Sequence, residues 1–201
     1  MWTMTTMRKK SKKMNKGRLY VFSGPSGVGK DTVLSLLLSR SDLTKSVSAT
    51  TRAPREGETD GVDYYFVTKE QFETLIREGG MLEYTVYAGN YYGTPKAPVE
   101  AWLSEGKDVI LKIEVDGGAQ IKTLMPESIG IFILPPSKEE LERRLRMRGT
   151  DSEEAVQKRL AAALNELSCA ERYDYRVVND DLDLCVDEIL AILKKNKKIS
   201  R

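Results

Sequence analysis

The chain has 201 residues, 40% of them hydrophobic and 31% charged, with a formal charge of +2; this is one domain's worth of polypeptide, able to bury a core, and it excludes a disordered or collagen-like chain. There is no histidine and there are two cysteines, Cys169 and Cys185, which excludes Ser-His-Asp hydrolysis, Cys-His chemistry and the common zinc sites and argues against a disulfide framework. The charge is unevenly spread: residues 1–18 hold seven Lys/Arg and residues 194–201 hold five, with no acid in either, so the body between them has 20 basic and 30 acidic side chains.

Residues 1–16 read as a solvated, structureless basic tail rather than a nucleic-acid contact. No apolar segment follows Lys16 and no run is long enough to cross a bilayer, so neither a secretory signal nor a membrane anchor is expected. The reading is a cytoplasmic protein with no membrane or nucleic-acid partner. From Gly17 onward, short apolar runs alternate with helical patterns. Arg18–Ser23 reads as a first strand and Lys30–Arg40 as the helix after it. Asp63–Val67 and Met81–Tyr87 read as short strands with a helix over Lys69–Glu78 between them. Asp108–Glu114 and Ile129–Leu134 are candidates for buried strands. Ser137–Arg148 and Ser152–Cys169 read as polar-faced helices, Tyr175–Asn179 as a last strand and Leu182–Lys195 as a closing helix. Strands interleaved with helices predict an α/β fold with a mostly parallel sheet covered on both faces. Residues 49–100 break that rhythm and read as an inserted subdomain.

The segment Gly24-Pro25-Ser26-Gly27-Val28-Gly29-Lys30 joins the first strand to the first helix. It is a G-x-x-x-x-G-K loop in the context the pattern requires. Its glycines let successive backbone N–H groups converge on a phosphate, the helix N-terminus adds partial positive charge, and Lys30 reaches the outer phosphates. After the lysine such loops carry Ser or Thr to hold Mg²⁺; here Asp31 stands there, followed by Thr32. A carboxylate oxygen can also hold that hard cation, but it sets a negative charge beside a triphosphate.

Further along, Ser46–Asp63 reads SVSATTRAPREGETDGVD, Glu83 lies in MLEYTVY, and Gly89–Thr94 reads GNYYGT. The later segments LERRLRMRGTD (Leu141–Asp151), KRL (Lys158–Leu160) and VVNDDLD (Val177–Asp183) complete an ordered set. With these motifs the chain, from about Gly17 to about Leu193, closely resembles the guanylate kinases, which phosphorylate GMP with ATP in purine nucleotide metabolism. The resemblance implies a P-loop kinase core (residues 17–48, 101–136 and 170–195), a GMP-binding insertion (about 49–100) and a helical lid (about 137–169), with Mg²⁺ as cofactor. It places Ser48, Arg52, Arg55, Tyr64 and Tyr92 on the phosphate of GMP. It gives Glu83 the guanine N1–H and 2-amino donors, with Thr94 nearby. It puts Lys30, Arg52, Arg144, Arg148 and Arg159 on the transferring group, Asn179 on the adenine of ATP, and Glu114 near the acceptor and the metal, where it and Asp31 are the metal candidates. Arg143 and Arg146 read instead as helix-face partners of nearby glutamates. A departure lies at Lys112, where the family usually carries an acid. The expectation is a charge exchange, with Lys112 opposing Asp31 at short range. The alternatives are a ribose bisphosphate kinase of similar fold, which has no use for a base-reading set, and a non-catalytic guanylate-kinase-like binding module, which tends to lose the phosphate loop.

Overall fold

The computed structural model describes residues 16–147 and 152–198. Its centre is a five-stranded, all-parallel sheet. The strands are β1 (Leu19–Ser23), β2 (Thr44–Lys45), β7 (Val109–Lys112), β8 (Ile129–Leu134) and β9 (Tyr175–Val178), in the order β2-β7-β1-β8-β9. A strand buried on both faces reads as a near-continuous apolar run, and β1, LYVFS, is buried at all five positions, Ser23 being its one small polar residue. Alternate residues serve opposite layers. Tyr20 and Phe22 pack with Val33, Leu34 and Leu37 of α1 (Lys30–Ser39) and Val186 and Ile189 of α7 (Leu182–Lys198). Leu19 and Val21 pack with Val99 and Leu103 of α3 (Lys96–Ser104) and Ile121 of α4 (Val115–Leu124). Burying each such large apolar side chain stabilises the fold by about 1.5–3 kcal/mol. Parallel register sets Phe22 beside Lys112 and Ser23 beside Phe132, so the loop after β1 emerges at the carboxyl edge of the sheet, where open α/β folds bind ligands.

A second, four-stranded sheet has the order β4-β3-β6-β5, with β3 (Ser48–Thr50), β4 (Tyr64–Phe66), β5 (Met81–Tyr87) and β6 (Asn90–Pro95). One face covers α2 (Lys69–Arg77): Ala49, Tyr65, Met81 and Tyr91 pack with Phe72, Leu75 and Ile76. Thr68 and Gln71 form a reciprocal cap that starts α2, as expected of Thr and Gln three residues apart. The remaining helices, α5 (Lys138–Arg146) and α6 (Glu153–Leu167), pack through Leu141, Leu145 and Ala163, and Ser137 and Ser152 cap them.

The expected strands and helices are all present, with ends shifted by a few residues. Additional to them are β2, β3, β6, α3, α4 and a 3-10 turn over Ala170–Arg172. β2 and β3 are two and three residues long, too short for a pattern. α3 carries Pro98 in its first turn, which a helix tolerates, and α4 carries Gly117 and Gly118, which weaken its helix signal. Both cysteines are free. Among the described residues no helix is long and apolar enough to cross a membrane.

Candidate active site

The phosphate loop is a set of backbone conformations that glycine makes available. Gly27 and Gly29 have φ of 86° and 94°, in the left-handed region that side chains avoid. A Cβ on Gly29 would also lie 2.7 Å from the amide nitrogen of Asn179, so close packing and φ make the same demand. Gly29 leads into α1. The first N–H groups of that helix have no partner within it and are left to face an anion. Lys30 bends back over the loop, its ammonium donating to the carbonyls of Gly24 and, at 3.3 Å, Pro25. Its side chain is 11% exposed and lies 3.7 Å from Glu114.

Asp31 and Lys112 form an ion pair, as the charge-exchange expectation requires. Burial pushes the Asp31 carboxyl up, but the hydrogen bond and charge of Lys112, with Lys30 and Lys45 beyond, outweigh it and hold the carboxyl below the ordinary value. The Asp31 side chain is 80% exposed, and an exposed pair contributes at most about 1 kcal/mol to folding. Its importance is local charge balance. Lys112→Glu would bring two carboxylates together, a like-charge contact unfavourable by about 1 kcal/mol at this exposure. Turnover is expected to fall up to about tenfold with little change in melting temperature. Adding Asp31→Ser should return most of it. An unchanged turnover in Lys112→Glu would remove the compensation.

The second sheet gathers the acceptor candidates by register. Ser48 pairs with Tyr64, Thr50 with Tyr92, and Glu83 with Thr94. Partners across a ladder share a face, so Ser48, Tyr64, Tyr92, Thr94 and Glu83 lie together on the face opposite α2. A register shift between Met81 and Glu83 is decisive. Two residues apart, they would share a face in a regular strand; the bulge turns Met81 into the α2 layer and Glu83 into the site. Glu83 is 5% exposed and accepts a 2.6 Å hydrogen bond from the Thr94 hydroxyl. Burial pushes its carboxyl up, Thr94 pulls it back, and Glu114 adds to the rise. Gly117 makes room for it: a Cβ there would lie 2.7 Å from Oε2 of Glu83.

Arg52 donates from Nη1 and Nη2 to the two oxygens of Glu58, at 3.0 and 2.9 Å, and its guanidinium lies 5.5 Å from the Tyr64 ring centre. The Arg55 backbone N–H donates to the same carboxylate at 2.7 Å. Glu58, with Tyr92 assisting, holds Arg52 firmly protonated. On the other side, Arg144 donates to Glu140 at 2.7 Å and reaches the carbonyls of Val28 and Asn179 at 3.3 and 3.0 Å. Arg159 comes within 3.5 Å of the Ser26 hydroxyl. Arg143 pairs with Glu140, and Arg146 with Glu142 and Glu153, as expected of helix-face cations. Asn179 is buried and donates to the Val28 carbonyl at 2.8 Å, which places it against the phosphate loop. Arg148 lies outside the described residues.

The site is thus a glycine-rich loop with Lys30 and a face of Ser, Tyr, Thr and Glu, with arginines reaching in from a helical arm. A family model described as guanylate kinase matches residues 16–196. The chain belongs to the guanylate kinase family. It is 55% identical over 185 residues to a guanylate kinase of Thermus thermophilus, covering 92% of this chain and 84% of that one. It is 56% identical over 179 residues to that of Synechocystis sp., covering 89% and 94%. Among solved structures, a guanylate kinase from Anaplasma phagocytophilum superposes with a TM-score of 0.73 at 37% identity, covering 90% of this chain and 87% of that one. The fold is the P-loop kinase α/β fold of that family.

Two carboxylates at this guanylate kinase family site were not among the sequence candidates. Glu58 had a usable signal, an acid six residues after Arg52 in a turn-rich segment. Glu166, whose Oε2 accepts the Ser26 N–H at 3.0 Å, had none, because its partner is 140 residues away. Asp31 follows Lys30 in the chain, and Glu114, 60% exposed, lies 3.7 Å from the Lys30 ammonium. Among the described residues no cluster of three or more acidic, His or Cys side chains is arranged to hold a metal. This donor set fits a cation carried in chiefly by phosphate oxygens, such as Mg²⁺.

Proposed function

We propose that this chain transfers the γ-phosphoryl group of ATP to GMP, releasing ADP and GDP. The observation that carries the reading is Glu83, a buried carboxylate turned by a bulge into a face that also holds Ser48, Tyr64 and Tyr92. Guanine presents N1–H and a 2-amino group as adjacent donors, and one carboxylate accepts both. Adenine lacks that pair and would leave Glu83 buried with Thr94 as its one described side-chain donor, the strong form of rejection. Residues 49–100 serve as the acceptor insertion and 137–169 as the lid. Arg52 and Arg55, with the Ser48, Tyr64 and Tyr92 hydroxyls, receive the acceptor phosphate. The loop Gly24–Lys30 with Asp31 and Thr32 receives ATP, and Asn179 keeps the loop in shape while bordering the adenine side. Lys30, Arg144, Arg148 and Arg159 balance charge on the moving phosphoryl group without covalent chemistry. No general base is needed, because the acceptor phosphate is already anionic. Asp31 and Glu114 would hold Mg²⁺, which neutralises phosphate charge when bound. The reading also places the chain in the cytoplasm, without a membrane or nucleic-acid partner.

Glu58 keeps Arg52 and the Arg55 backbone in position. Glu58→Gln keeps an acceptor but loses the charge, so KM for GMP is expected to rise roughly tenfold while KM for ATP holds within twofold. A lower KM for GMP would instead make Glu58 a competitor of the acceptor phosphate. The acceptor assignment itself is tested by calorimetric titration with GMP and AMP. GMP binding that AMP does not match, lost in Arg52→Ala, is expected; equal binding of the two would overturn the role of Glu83.

A further inference from the structure

The phosphate loop is tied to the helical arm by a carboxylate that the transfer chemistry does not use. Glu166 lies on α6, and its Oε2 accepts the Ser26 backbone N–H at 3.0 Å. Arg159, seven residues earlier and so two turns along the same helix face, brings Nη2 to 3.5 Å from the Ser26 hydroxyl. Ser26 therefore meets α6 through both its backbone and its side chain. A carboxylate beside a phosphate site is electrostatically adverse. Burial pushes Glu166 up, the Ser26 N–H pulls it back, and Glu114, Lys30 and Asp116 also act on it.

The local turn explains what the bond accomplishes. Val28 N–H donates to the Pro25 carbonyl at 3.2 Å, and Gly27 has φ of 86°, which is a type II turn with Ser26 and Gly27 at its centre. The Ser26 N–H points out of that turn. It is not one of the free N–H groups at the start of α1. Glu166 thus leaves the anion-facing groups open and fixes the outer corner of the loop. Asn179 and Arg144 hold the next corner through the Val28 carbonyl.

We propose that Glu166 is a positioning residue for the phosphate donor: by binding the Ser26 N–H it fixes the glycine-rich loop in its receiving shape and fastens it to α6. The inference rests on the loop being the ATP site. Steady-state kinetics of three variants test it. Glu166→Ala is expected to raise KM for ATP about tenfold and leave KM for GMP within twofold. Glu166→Gln, whose amide carbonyl can still accept the N–H, should return KM for ATP to within about threefold of the parent chain. Ser26→Pro deletes the same donor from the other side, at a turn position that favours proline; measured against Ser26→Ala, it should reproduce the ATP effect and add nothing to Glu166→Ala. An ATP KM unchanged in Glu166→Ala, a parallel rise in both KM values with a lowered nucleotide-free melting temperature, or full additivity of the two deletions would overturn the inference. Failure of the parent chain to turn over ATP with GMP would instead overturn the reading beneath it.

Discussion

Replacing Lys30 with methionine is expected to lower kcat by about 10²–10³-fold, the usual cost of removing one preorganised cation or donor from a transition state. Methionine has similar length and fills the same space, so the fold should persist. The ammonium sits over the loop, bonded to the carbonyls of Gly24 and Pro25 and 3.7 Å from Glu114. Its neighbours keep it oriented before substrate arrives, so the charge is already in place when negative charge shifts on the phosphoryl group. The fall should therefore appear mainly in kcat. A variant with unchanged kcat and a raised KM for ATP would show that Lys30 supplies uniform binding only.

Glu83→Gln is expected to have two opposite effects. The kcat/KM for GMP should fall about 100-fold, because an amide offers one acceptor where guanine presents two donors. The nucleotide-free protein should melt at a higher temperature. The sign follows from linkage. Burial raises the Glu83 carboxyl above its ordinary value, so the native state holds that proton more tightly than the unfolded chain. Between the ordinary and the raised values, stability falls as pH rises, and above both the cost is fully present. The neutral amide removes it. In the parent chain, KM for GMP should rise on acidification as Glu83 takes up its proton, in a range above the ordinary glutamate value near 4.3. A Glu83→Gln protein that melts lower and keeps its GMP kinetics would place Glu83 in the core rather than the site.

The parts of this site that were legible are those written locally. The loop Gly24–Lys30 joins its own strand to its own helix, and glycine, lysine and spacing are all visible in seven residues. Ser48, Tyr64, Tyr92 and Thr94 were legible only through their place in the family's motifs; that they share one face follows from the pairing of β3 and β6, strands too short or too irregular to be read from the sequence. The Asp31–Lys112 pair was legible for a different reason, since two departures of opposite sign are simplest if they meet. What stayed hidden depends on tertiary placement. The bulge between Met81 and Glu83 is fixed by pairing with β6, not by β5 itself. Gly117 looks like a flaw in a helix until Glu83 is placed against it. Glu166 reads as one more polar residue of a charged helix until α6 is laid over the loop.

The most direct test is ADP release from ATP and Mg²⁺ with GMP, AMP, UMP and ribose 1,5-bisphosphate offered separately. Turnover with GMP, far above that with the other three, is the predicted result, and it would also show that Asp31 and Lys112 are compatible with catalysis. Turnover with the ribose bisphosphate, or silence with all four while GMP still binds, would contradict the assignment.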